Sequence, residues 1–73
     1  MSAPDFEGGV FAGSIEGGRA GARVRVDFDA TRATTTEGSV ISVPHEQCVV
    51  SVGGASGRML FFKDRAGDPT IFS

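Results

Sequence analysis

The sequence predicts a small all-β domain, an antiparallel meander of six or seven strands forming a sandwich or a partly open barrel. Three observations carry that prediction. Eleven glycines punctuate the 73 residues, most of them between short apolar segments. Glycine takes up positive φ at little steric cost, which is what tight turns need. Several of the intervening segments alternate apolar and polar residues with the period of a strand. No window shows the 3.6-residue period of an amphipathic helix.

The elements follow in order. Val10 to Ile15 reads as a short first strand, and Glu16-Gly17-Gly18-Arg19 turns the chain. Ala22 to Asp29 is the clearest strand, because Val24, Val26 and Phe28 alternate with Arg23, Arg25 and Asp27. A strand with one face buried and one solvated has this pattern. Thr31 to Thr36 is rich in β-branched residues, and Glu37-Gly38 turns into Ser39 to Val43. Pro44 ends that strand, since it has no N–H for a ladder. Pro44 to Gln47 is the best candidate for a helical turn and is too short for a helix. Gln47 to Val52 is the next strand, with Gly53 to Gly57 as a hairpin loop. Arg58 to Lys63 is the most apolar strand. Asp64 to Pro69 turns, and Thr70-Ile71-Phe72 begins a last strand.

A chain of this length makes one domain, residues 1–73, with residues 1–5 expected as a flexible N-terminus. Chains this short bury only about 60% of their unfolded surface, so the six Phe must serve the core. Val24, Val26, Phe28, Val50, Val52, Leu60 and Phe62 are the expected buried set. The N-terminus has no basic start and no apolar stretch of a signal peptide. No apolar run approaches the ~20 residues of a membrane span. The net charge is −2 with a single Lys, Lys63, which argues against a nucleic-acid partner. The last residues, Thr70 to Ser73, stop inside a strand-like pattern, so the chain reads as a piece of a longer protein. If so, Thr70 to Ser73 would be a bare sheet edge able to drive homo-oligomerisation.

The candidates for chemistry are few. His45-Glu46 opens like a zinc-protease HExxH motif, but position 49 is Val, and the chain has no second His. No metal-ligand set or cofactor site is expected, and no catalytic residue. Cys48 and His45 form the one conceivable thiol–imidazole pair, and Cys48 sits among strand valines as a small buried hydrophobe would. Gly53 to Gly57 leads into a strand and not a helix, so it is a hairpin loop and not a phosphate cradle. Asp64 to Asp68 lacks the further oxygen ligands of a calcium loop. Arg23 and Arg25 share a strand face. With Arg32 and Arg58 beside them they would form an anion- or partner-binding face. The plainer reading, which the residues favour, is a solvated face paired to Asp27, Asp29 and Glu37.

Several stretches resemble the opening of bacterial zinc metallopeptidases. These are Phe6 to Ile15 followed by Glu16-Gly17-Gly18-Arg19, then Ile41-Ser42-Val43-Pro44, and above all Gly53-Gly54-Ala55-Ser56-Gly57-Arg58-Met59-Leu60-Phe61-Phe62. The family is that of the CAAX-prenyl-protease-like and HtpX-like enzymes, many of which carry a short β-rich domain ahead of the peptidase. The resemblance implies a non-catalytic N-terminal accessory domain similar to pleckstrin-homology or GRAM domains. It implies zinc only in a peptidase domain further along the polypeptide, which would also be the first partner. It implies a place on the cytoplasmic side, tethered to the membrane through that further region. Only a scaffold role carries over, to Gly53, Gly54, Gly57, Phe61 and Phe62. The expected function is an accessory interaction domain that positions enzyme, substrate or partner. The alternative is a module binding anionic lipid headgroups or another anion through the arginine face. An enzyme acting through Cys48 ranks last.

Overall fold

A computed structural model describes residues 5–54 and 57–73. Ala55 and Ser56 of the expected hairpin loop, and residues 1–4 of the expected flexible N-terminus, lie outside the described residues. The protein is all-β. Its strands are β1 (Asp5–Phe11), β2 (Arg19–Val26), β3 (Ala30–Thr35), β4 (Val40–Pro44), β5 (Cys48–Gly53), β6 (Met59–Asp64) and β7 (Thr70–Phe72). Single 3-10 turns occupy Glu16–Gly18 and His45–Gln47.

All seven strands belong to one antiparallel sheet in the order β4-β3-β2-β1-β7-β6-β5. The sheet curls into a half-barrel, the partly open barrel of the two expected forms. Two meanders, β1 to β4 and β5 to β7, are joined where the first strand pairs with the last: Val10 lies opposite Ile71. The His45–Gln47 turn carries the chain from one outer strand, β4, to the other, β5.

This pairing corrects the expectation that Thr70 to Ser73 is a bare edge. β7 bonds to β1 on one side and β6 on the other, and Ser73 exchanges backbone hydrogen bonds with Leu60 at 2.9 and 3.0 Å. Strand limits also move. β1 starts at Asp5, within the stretch expected to be flexible. β2 ends at Val26, so Asp27 to Asp29 is a turn and not strand. The glycines at 17, 18, 38, 54, 57 and 67 have positive φ, as the turn reading requires. Gly8 and Gly9 serve a different need: a Cβ on Gly8 would collide with the Phe72 carbonyl, and one on Gly9 with the Phe72 ring.

The core lies inside the curl. Val10, Ala12, Val24, Ala33, Val43, Phe62 and Ile71 are buried there, with Ile15, Ala22, Ile41 and Cys48 packed against them. Of the expected buried set, Val24 and Phe62 hold. Phe28 stands fully exposed, at 101% of its reference area, because the turn lifts it off the sheet. Val26 and Leu60 are exposed near the ends of their strands, and Val50 and Val52 because of where β5 sits. The curl brings β4 over β6. β5 therefore projects past the closure with solvent on both faces.

On the convex face Phe11, Phe72 and Phe61 form a row, with ring centroids 5.0 and 6.3 Å apart. Phe72 lies over Gly9 and Phe61 over Gly53. These rings cover glycine backbone that would otherwise be bare.

Candidate functional site

The arginine face assembles in part. Register places Arg25 directly opposite Arg32, and Arg23 opposite both Glu7 and Thr34. All three point to the convex face, away from Val24. Two like charges opposite one another on a sheet repel. The turn from β2 to β3 removes that repulsion. Arg25 Nε donates to Asp27 Oδ1 at 2.8 Å, and Arg32 Nη1 donates to Asp27 Oδ2 at 2.9 Å. Arg32 also grips both oxygens of Asp29, at 3.1 and 3.2 Å. Its hydrogen bonds hold the Asp29 carboxyl below the usual carboxylate range, and Asp29 in turn, with help from Asp27, pushes the Arg32 guanidinium up. Arg23 reaches Glu7 at 3.9 Å.

Each clustered arginine thus has a carboxylate partner. Glu37 belongs to none of these pairs. Arg58 stands apart: it precedes β6, and β1 and β7 lie between that strand and β2. The structure therefore brings together Arg23, Arg25 and Arg32, already neutralised, and leaves Arg58 elsewhere.

His45 has a structural task. Its backbone N–H donates to the Asp29 carbonyl at 3.0 Å, and its Nε2 lies 2.7 Å from the Asp27 carbonyl oxygen. The β4–β5 connection is thereby tied to the acidic turn. Burial, followed by the charge of Asp64, pushes the Cys48 thiol up, which is opposite to what a nucleophilic thiolate needs. Among the described residues no three His, Cys, Asp or Glu side chains are arranged to hold a metal ion, and no helix is long and apolar enough to cross a membrane. A cleft of about 530 Å³ opens beside the Glu16–Gly18 turn, lined in part by Ser14, Glu16, Arg19, Thr35, Glu37 and Ile41.

The feature that sequence reading missed is that β5, expected as a strand over Gln47 to Val52 with Val50 and Val52 buried, is an exposed outer strand. Its sequence, Cys-Val-Val-Ser-Val-Gly, has no charge and no proline. Val49, Val50 and Val52 are 50%, 57% and 66% exposed. The backbone is open as well. Arg65 donates to the Gln47 carbonyl at 2.8 Å, so the polar groups of Gln47 face β6. Along an antiparallel strand that direction alternates. Val49, Ser51 and Gly53 therefore bond to β6, while Val50 and Val52 present N–H and C=O outward. The Cys48 N–H is already given to the His45 carbonyl. An edge of this kind is a template for another strand. The opposite edge, β4, is also uncharged and leaves Val40 60% exposed, but it ends in Pro44 and its core-facing Ile41 and Val43 are packed.

Comparison with protein-family models, curated proteins and solved structures gives no match. The likeness to metallopeptidase N-terminal domains rests on the sequence motifs alone.

Proposed function

We propose that this chain is a non-catalytic interaction module that docks a polypeptide strand along β5. The observation that supports this reading is the outer edge of β5, where exposed valines and outward backbone groups coincide on an uncharged strand. Strand addition draws affinity from the main chain and selectivity from alternate side chains. Natural sheets protect such edges with charge, proline or a cover, and β5 has neither charge nor proline.

In the metallopeptidase context this module would position a peptidase domain carried on the same polypeptide. Zinc binding and hydrolysis would belong to that other domain. Chelator-sensitive peptide hydrolysis by this chain alone would overturn the non-catalytic reading.

The test is a titration of the ¹⁵N-labelled chain with a short extended Val/Thr-rich peptide. The expected shifts centre on Val50 and Val52, with β2 and β3 unchanged. Anionic phosphatidylglycerol vesicles serve as the second probe. Salt-sensitive binding to them that is lost in Arg23→Ala/Arg25→Ala, with β5 unmoved by peptide, would replace this reading with the anion-binding one.

A further inference from the structure

Resting on the β5 reading, we infer that the strand which β5 receives is β5 of a second copy, paired antiparallel about a two-fold axis through Ser51. Within β5 the two residues whose backbone groups have no partner among the described residues, Val50 and Val52, are two apart. In a register centred on Ser51, Val50 of one copy lies opposite Val52 of the other. Every free N–H and C=O of these residues then meets a partner, twice over by symmetry. A register centred on Val50 would instead set Val52 against Cys48, whose N–H is already used by His45.

The side chains fit the same register. On the core-facing side, Val50 and Val52 of the two copies cover each other. On the convex side Ser51 meets its own copy at the axis, where a non-hydrogen-bonded pair brings Cα atoms to about 4.5 Å. Small hydroxyls suit that close approach and can bond across it. Val49 falls opposite Gly53, which has no side chain, next to the Phe61 ring that covers Gly53. Val49 thus meets the edge of that ring and has no opposing side chain to clash with. No like charges meet along the strand, although the chain as a whole carries −2. An isologous contact of this type closes on itself and makes a dimer, not a fibre. It joins two seven-stranded sheets into one.

The experiment measures mass in solution and geometry by cross-linking. Sedimentation of the 73-residue chain over a range of concentrations is expected to show a monomer–dimer equilibrium. Ser51→Lys, which sets two ammonium groups together at the axis, is expected to leave a folded monomer. In a Cys48→Ala background, which keeps the native thiol out of the readout at both positions, Ser51→Cys is expected to give a disulfide-linked dimer on mild oxidation, because the Cα spacing at the axis suits an S–S bridge. Val49→Cys, displaced from the axis, is expected to stay unlinked.

Three results would overturn the inference: a monomer at every concentration, a dimer that survives Ser51→Lys, or equal cross-linking at 49 and 51. If the chain is monomeric and the Val/Thr-rich peptide still shifts Val50 and Val52, the self-pairing fails while the docking edge stands. If neither occurs, both fail. Circular dichroism of each variant confirms that the sheet is intact.

Discussion

Phe28 and Phe62 have the same side chain and opposite fates, which makes a sharp test of the fold. Phe62 sits in β6 among Val10, Val24, Val43 and Ile71, and its alanine variant leaves a cavity in the middle of the curl. Buried Phe→Ala changes cost about 3–5 kcal/mol. At about 0.05–0.15 kcal/mol per residue, a domain of this length has only about 4–11 kcal/mol in total. Phe62→Ala should therefore remove a large share of the stability, or all of it. Phe28 is in the Asp27–Asp29 turn with its whole side chain in water. Phe28→Ala should stay within about 0.5 kcal/mol of the parent, as surface changes do. Urea denaturation followed by far-ultraviolet circular dichroism reads both. The midpoint should fall steeply for Phe62→Ala and hold for Phe28→Ala, with the slope unchanged. A loss of more than about 1 kcal/mol from Phe28→Ala would contradict the turn and return Phe28 to the core.

Other outcomes follow from single contacts. Thr31 Oγ1 is buried with no hydrogen-bond partner among the described residues; Thr31→Val keeps the shape and should raise stability by about 1 kcal/mol in the same urea assay. Gly9→Ala should destabilise, because the new Cβ meets the Phe72 ring and stands 2.8 Å from the Ala20 carbonyl oxygen; loss of β7 amide protection would report it. Asp29 is held low by Arg32, so its contribution to stability is present at neutral pH and is lost as pH falls below the ordinary carboxylate range. In Arg32→Ala, carboxyl NMR titration should find Asp29 back near the ordinary range, and a carboxyl that stays low would assign the effect to the turn backbone instead.

Much of the fold was legible because it is local. The Val24/Arg23 alternation marks β2, Pro44 stops β4, and positive-φ glycines mark the turns. What was not legible is which strand neighbours which. Thr70 to Phe72 looks like a frayed end in sequence, yet it is the seam between β1 and β6. Non-local pairing leaves no trace in a window of ten residues. The same gap misplaced the core: period 2 says which residues share a face, but not whether the strand is central or projects past the closure, as β5 does. Phe28 continues the alternation of β2 in sequence, yet the Asp27–Arg32 and Asp29–Arg32 pairs fix a turn there. The arginine face was half legible. Arg23 and Arg25 follow from alternation and Arg32 from the hairpin, whereas Arg58 depends on sheet order.

Amide hydrogen exchange along β5 tests the central claim most directly. In dilute solution Val49 and Ser51, bonded to β6, should be protected, while Val50 and Val52 should exchange at nearly free rates. With a partner strand in place, at high protein concentration, Val50 and Val52 should become protected with the others unchanged. Val50 and Val52 amides that exchange freely at every concentration, with peptide or without, would contradict β5 as the docking edge.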